Sequence, residues 1–264
     1  MKFIEPKAEI IKGLPPLQKI ALIARVCTGT QDKAETTLDA ALAFCYKLIG
    51  MGHYSPFEHA RIATMRKPNK DDCVYPRFPY GFRDRVSFGY KGYSMSVRDF
   101  LAIDGTLEDA AECDEAEDYL TVCFTVDIGI ARELIRHRSM SFMERSTRWC
   151  SWSEENGGIE FIAPENYHEN PATETDYRHA FELAETFYFG LLKRGVRREM
   201  ARSVLPLATA TKLYVTGTYQ HWTWLLNLRL GHRAHPAMRR VMNQLIEQPD
   251  FPAEIKNNIY IKEA

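Results

Sequence analysis

The stretch from Leu120 to Arg138 constrains this chain more than any other. Thr121 to Val126 is rich in β-branched and aromatic side chains, the composition of a strand. From Ile128 to Arg136 the pattern becomes that of a helix whose polar end carries Arg132, Glu133 and Arg136. A strand therefore leads into a helix that stops at a basic cluster.

On either side the chain alternates between the same two periods. Leu38, Ala41, Leu42, Cys45, Leu48 and Ile49 recur at three- and four-residue steps, which predicts an amphipathic helix over about 35–50 ending at Gly52. Ala60 to Met65 reads as a strand. Residues of about 67–118 carry Pro68, Pro76, Pro79 and several Gly, then an acidic run from Glu108 to Asp118. This stretch reads as an insertion with little regular structure of its own, its acidic end a solvated helix face. Tyr75, Phe78, Tyr80, Phe82, Phe88, Tyr90 and Tyr93 make it aromatic, as expected of a segment packed on the body or on a neighbouring subunit. Further on, helices are predicted over Tyr177–Lys193, closed by Gly195, and over Arg197–Val204, ending near Pro206. A short strand at Lys212–Val215 and helices over Tyr219–Leu230 and Pro236–Gln248 complete an α+β pattern with helices in the majority.

At 264 residues the chain can bury one large core, or one core with an appended subdomain. A formal net charge of -1 gives no global field to draw it onto nucleic acid or an acidic membrane, so a bound anion must meet a local cluster of cations. Cys27, Cys45, Cys73, Cys113, Cys123 and Cys150 are scattered, without the close pairs of zinc sites or small disulfide frameworks. They read as mostly buried thiols in a reducing compartment. No apolar stretch reaches the roughly 18 residues of a spanning helix, and the first residues lack the core of a secretory signal. A cytoplasmic protein is expected.

The densest chemical feature runs from Arg136 to Trp149. Arg136, His137, Arg138, Arg145 and Arg148 lie within thirteen positions, interleaved with Ser141, Glu144, Ser146 and Thr147. Arginine forks with neighbouring hydroxyl and backbone donors suit phosphate. Arg136 and Arg138 cannot both point along one helix face, which allows two separate anionic groups. The spacing equally allows a surface patch that pairs with acids such as Glu133 and Glu144.

Arg136-His137-Arg138, seven residues and then Ser146 resembles the signature of the flavin-dependent thymidylate synthases, and the trailing Ser146-Thr147-Arg148-Trp149-Cys150 extends the likeness. Three further blocks follow the family's order: Gly52-His53-Tyr54-Ser55-Pro56-Phe57-Glu58-His59, then Ala201-Arg202-Ser203-Val204-Leu205-Pro206, then Leu228-Arg229 with Ala234-His235-Pro236. Arg25 is similar to the family's N-terminal block. The resemblance covers most of residues 15–65 and 120–248. It implies a mixed central sheet flanked by helices, one domain over 1–264 with the insertion at about 67–118, and a homotetramer with active sites between subunits. The implied reaction makes dTMP from dUMP, taking methylene from methylenetetrahydrofolate and hydride from reduced FAD, which NADPH regenerates.

Carried over by position, the resemblance implies that Arg136, His137 and Arg138 hold FAD, Arg136 also bordering the nucleotide. Ser55 is a flavin-site hydroxyl, and His53 lies near the isoalloxazine in a catalytic position. Glu133 and the run Glu144, Arg145, Ser146, Thr147, Arg148 fall on nucleotide-binding positions, with Glu144 also beside the cofactor. Arg202 matches an arginine that reaches the nucleotide from another subunit. Arg229 matches the arginine beside the pyrimidine, where a fixed cation would stabilise negative charge as N3 loses its proton and C5 becomes nucleophilic. Thr218, Gln220 and Trp224 fall on FAD positions where the family commonly has Asn, Arg and a polar residue, and Arg233 replaces a common His. Met143 and Arg145 differ from the usual polar neighbours of the nucleotide.

Ser146 is also a candidate nucleophile toward C6, but no general base accompanies it in the motif, which favours a hydrogen-bond donor to the nucleotide. Cys27 and Cys150 read as packing residues. His232 and His235 lack a third ligand at metal spacing, so no metal is expected. Trp222, Trp224, Leu225 and Leu226 read as core or interface. Two alternatives stay open: action on dCMP or formation of a hydroxymethyl product, suggested by Gln220, Trp224 and Met143, and a nucleic-acid-binding protein using the basic run and the tryptophans.

Overall fold

The computed structural model describes residues 1–65, 87–89, 92–150, 152–153 and 157–260. The chain opens with β1 (Lys2–Ile4), β2 (Lys7–Ile10), α1 (Pro16–Ala24), α2 (Leu38–Gly50) and β3 (Arg61–Thr64). Then come β4 (Ser87–Gly89), β5 (Gly92–Ser96), α3 (Val97–Ala102), α4 (Leu107–Glu112) and β6 (Asp114–Glu115). The remainder comprises β7 (Tyr119–Asp127), α5 (Ile128–Leu134), β8 (Ser141–Glu144), β9 (Glu160–Ile162), α6 (Pro171–Lys193), α7 (Arg198–Ala201), β10 (Ala210–Thr218), α8 (Tyr219–Arg229), α9 (Pro236–Ile246) and α10 (Ala253–Lys256). The architecture is α+β.

A four-stranded antiparallel sheet, in the order β2-β7-β10-β8, lies at the centre. β7 and β10 pair along their full length, Tyr119 with Thr218 through Asp127 with Ala210. Alternation along the strands then sets the layers. Leu120, Val122, Phe124 and Val126, with Leu213 and Val215, face a core built from α5, α8 and α9 that contains Trp222, Leu225, Met238, Val241 and Leu245. Cys123, Met143 and Tyr214 face the other way, onto Ile23 and Val26. Trp222 is fully buried, and its indole N–H donates to the Leu120 carbonyl at 2.9 Å, tying α8 to the sheet. β1 and β9 form a parallel pair, and a bridge from Phe161 to Thr209 sets it against the start of β10. The parallel pairing thus lies in this separate two-stranded sheet, and the central sheet itself is antiparallel where the family resemblance implies a mixed one.

The segment expected to lack regular structure is organised over its described part. β4, β5 and β6 join β3 in a second antiparallel sheet, ordered β4-β5-β3-β6. Val97, Phe100, Ile103, Leu107 and Ala110 share a core with Leu17, Ala41, Phe57 and Ile62. The buried amine of Lys19 on α1 reaches Glu115 and the Tyr119 hydroxyl, tying β6 to the body. Proline and glycine misled because they mark turns without showing what lies between them. Ser96 and the Thr106–Asp109 capping box start two short helices in this segment. Glu108 and Glu112 are exposed on α4, the solvated helix face expected, but the acidic run does not stay helical: Asp114–Glu115 is β6, Glu115 meets Lys19, and Asp118 accepts from Ser94 at 2.7 Å. Tyr75, Phe78, Tyr80, Phe82 and Tyr90 lie outside the described residues, as do Cys73 and the side chains of Phe88 and Tyr93.

Other boundaries move for local reasons. α6 begins six residues early, at Pro171, because Asn170 accepts the Thr173 N–H at 2.8 Å. The helix expected over Arg197–Val204 is α7 followed by a separate 3-10 turn, Arg202–Val204. No helix of the described residues is long and apolar enough to cross a membrane.

Candidate active site

α5 and α8 each follow directly from a long strand of the sheet, and their C-terminal ends meet. Asp127 caps α5 by accepting the Ile130 N–H at 2.8 Å, while Ile130, Ala131 and Leu134 bury its inner face. After Leu134 the chain turns back toward β8, with the His137 N–H on the Leu134 carbonyl at 3.1 Å and the Met140 N–H on the His137 carbonyl at 3.0 Å. This turn points successive side chains in opposite directions. His137 is 2 % exposed, whereas Arg136 and Arg138 on either side face solvent. Neither arginine has an ion-pair partner among the described residues. Glu133 and Glu144, the acids that a surface patch would pair with them, bond to Arg229 and Thr211 instead.

Arg229, the last residue of α8, holds the junction. Its Nε donates to Nε2 of His137 at 2.9 Å, and its two terminal nitrogens donate to the Glu133 carboxylate at 2.8 Å and the Glu133 carbonyl at 2.9 Å. A guanidinium only donates, so Nε2 of His137 is the acceptor and the ring proton sits on Nδ1. That Nδ1 is buried and has no hydrogen-bond partner among the described residues. Burial, then the Arg229 charge, pushes the His137 pKa down to about 4, so the ring is neutral near pH 7. Trp224 meets the ring edge-on at 5.2 Å and is itself 58 % exposed. Of the apolar run on α8, Trp222, Leu225 and Leu226 are core, and Trp224 is not.

The motif run continues along β8 and beyond. Glu144 accepts from the Thr211 hydroxyl at 3.0 Å, and burial raises its pKa. Arg145 points to the opposite face, where it pairs with Glu160 at 3.5 Å and covers the Trp152 ring. Ser146 Oγ accepts the Arg148 N–H at 3.3 Å, and among the described residues no general base bonds to it. Arg202, expected to reach a neighbouring subunit, donates to the Thr147 hydroxyl of its own chain at 2.8 Å. Met143 is buried beside Cys27, its sulfur 3.1 Å from the thiol.

The other expected residues are more dispersed. His53 and Ser55 are exposed and make no side-chain hydrogen bond among the described residues, and Gln220 is exposed on α8. The Thr218 hydroxyl caps α8, accepting the His221 N–H at 3.4 Å. His232 and Arg233 are exposed, and His235 is the N-cap of α9 rather than part of a helix. Two residues of the 52–59 block were passed over by sequence reading. Glu58 accepts from Ser141 at 2.9 Å and from Arg98, and buried His59 shares a hydrogen bond of 2.8 Å with Thr216, itself 2.9 Å from Thr121. Their place in a family block was the available signal. Among the described residues no group of three His, Cys, Asp or Glu is arranged to hold a metal.

The strand–helix units carrying this junction fall inside residues 118–252, which match the family model described as "Thymidylate synthase complementing protein". The chain belongs to that family. A relative in Pyrococcus abyssi, a flavin-dependent thymidylate synthase, is 30% identical over 135 residues, covering 50% of this chain and 55% of its own length. A "Probable flavin-dependent thymidylate synthase" of Paramecium bursaria Chlorella virus 1 is 31% identical over 157 residues, covering 52% of this chain and 70% of its own. The chain spans about half the length of most curated relatives it matches. The solved structure of a UMP/dUMP methylase, PolB from Streptomyces cacaoi, aligns over 92% of this chain and 90% of its own with a TM-score of 0.47 and 20% identity.

Proposed function

We propose that the chain is a flavin-dependent thymidylate synthase, converting dUMP to dTMP with methylenetetrahydrofolate as carbon donor, FAD as hydride carrier and NADPH as reductant. Family membership supports the reaction class. One contact carries the site assignment: Arg229 is fixed by Glu133 and His137 at the mouth of the Arg136-His137-Arg138 turn.

The residues present fit a flavin dinucleotide. Arg136 and Arg138 offer guanidinium forks for a diphosphate that are unpaired among the described residues, Trp224 offers an exposed ring, and His137 holds a buried donor without an acceptor among the same residues. When bound, FAD supplies the hydride. Arg229 stands as a fixed cation where charge grows on the pyrimidine, and its orientation is set before substrate arrives. Ser146, Thr147 and Arg148 bind and orient the nucleotide, joined by Arg202 through Thr147. Neutral His137 donates from Nδ1 without adding a second positive charge beside Arg229. Assembly as a homotetramer with active sites between subunits is carried over from the family resemblance.

The test supplies the purified chain with FAD, NADPH, methylenetetrahydrofolate and either dUMP or dCMP, and weighs the nucleotide formed. A dUMP product heavier by one CH2 is expected. Turnover of dCMP, or a product heavier by CH2O, would replace the reading with the related methyl- or hydroxymethyltransferase. A protein that retains no flavin and binds DNA would remove it.

A further inference from the structure

Paired strands send successive side chains to opposite faces, so Arg145 and Lys212 leave the central sheet on the side away from Glu144 and Thr211. The Arg145 N–H bonds to the Lys212 carbonyl at 2.8 Å, which extends the β8–β10 ladder by one residue and sets the two cations side by side. They line a cleft of about 400 Å³ with Lys2, Glu160 and Trp152 among its other walls.

Over its described residues, the charge of this cleft is unbalanced. Among the described residues its wall carries Lys2, Arg145 and Lys212 against one carboxylate, Glu160. Glu160 is shared between Lys2 at 3.1 Å and Arg145 at 3.5 Å, and Lys212 has no ion-pair partner among the described residues. Hydrogen bonding is unbalanced in the same sense. Nε of Arg145 and Nε1 of Trp152 are buried and have no hydrogen-bond partner among the described residues, and Trp152 is 6 % exposed. The two side chains touch, with the guanidinium 5.3 Å from the centre of the indole ring. Both orphaned groups are donors. A buried donor left unmade costs about 1–3 kcal/mol, so the complement of this wall is a group that only accepts and carries negative charge.

We propose that the cleft is an oxyanion site that takes a phosphate group, either free inorganic phosphate or the phosphate of a small phosphomonoester. Arg145 supplies the fork, Lys212 and Lys2 supply charge, and the indole N–H supplies a neutral donor.

Inorganic phosphate and AMP are titrated separately into the full chain, without flavin, folate or pyrimidine nucleotide. Ionic strength is held constant with chloride, and tryptophan fluorescence is read. A saturable response is expected, weakened about tenfold in Lys212→Gln and in Arg145→Lys, which keeps the charge and loses the fork. Lys212 is exposed, so Lys212→Gln should melt as the wild type does, which separates lost binding from lost folding. The double variant Arg136→Gln/Arg138→Gln should respond as the wild type does. Tighter binding of AMP than of phosphate identifies a phosphomonoester as the ligand, and equal binding identifies free phosphate. No response beyond the chloride control, unchanged affinity in Lys212→Gln and Arg145→Lys, or loss of binding only in the Arg136/Arg138 variant would each overturn the proposal.

Discussion

Nε of Arg229 donates to Nε2 of His137 at 2.9 Å, so a residue expected beside the pyrimidine and one expected beside the flavin form a single hydrogen-bonded unit. Either partner alone would be less defined. Without the histidine, the guanidinium keeps only its two bonds to Glu133. Without the arginine, nothing selects which ring nitrogen carries the proton.

This coupling predicts non-additive kinetics. Arg229→Ala should lower kcat by about 10²–10³ if the guanidinium stabilises developing charge, while His137→Ala should first weaken flavin retention. In a double-mutant cycle on kcat/KM the two should interact by about 0.5–3 kcal/mol, as contacting residues do. Arg229→Ala should also let the His137 pKa rise from about 4 toward its ordinary value, which NMR titration reads directly. Strict additivity with an unmoved histidine would mean the contact is incidental.

Two buried histidines predict acid sensitivity. Burial holds His137 at about 4 and His59 at about 3, both below the ordinary histidine value. As pH falls below about 6.5 the unfolded chain takes up protons that the folded chain refuses, so stability drops by up to about 1.4 kcal/mol per pH unit for each ring. The loss attributable to each ring ends once pH passes below its folded value. Urea unfolding between about pH 7 and pH 5 should show the slope, and His59→Asn should flatten it. An unchanged slope in that variant would contradict the assignment.

Ser146 should prove a binding group. Its hydroxyl oxygen accepts the Arg148 N–H, and no base among the described residues bonds to it. Ser146→Ala should therefore raise the KM for the nucleotide by about tenfold and leave measurable kcat, the loss of about one hydrogen bond. Abolished turnover with intact nucleotide binding would restore the nucleophile.

Trp222 anchors α8 and, through it, Arg229. Trp222→Ala removes a fully buried ring and its bond to Leu120, and should cost about 3–5 kcal/mol in urea unfolding. Trp224→Ala, at an exposed ring two positions on, should change stability by less than about 0.5 kcal/mol and weaken flavin retention.

Much of the body was legible because its signals are local. Thr121 to Val126 alternates against Ile128 to Arg136 with an abrupt change of period, and β7 and α5 sit where that change falls. The triads and contacts of the site were not legible in the same way. Glu133 was read as a nucleotide contact, yet whether it meets substrate or Arg229 depends on how two helix ends converge from strands about ninety residues apart, which no local pattern encodes. Arg145 and Ser146 are neighbours in one motif, but strand alternation sends Arg145 to the face opposite Glu144. β8, only four residues long, was hidden inside a run read for its charges. The segment at 67–118 was misjudged because its helices are each six residues long and owe their stability to partners on α1, α2 and β3.

Glu58 binds Ser141 with one carboxylate oxygen and Arg98 with the other. An engineer wishing to shorten this chain by its middle segment would thus meet a difficulty. Excising the middle segment takes away Arg98 and leaves a half-buried anion bearing on the base of β8, while stripping Phe57 and Ile62 of their cover. A functional miniature would have to neutralise position 58 and resurface that wall in the same step, which is how an appendage becomes a structural member.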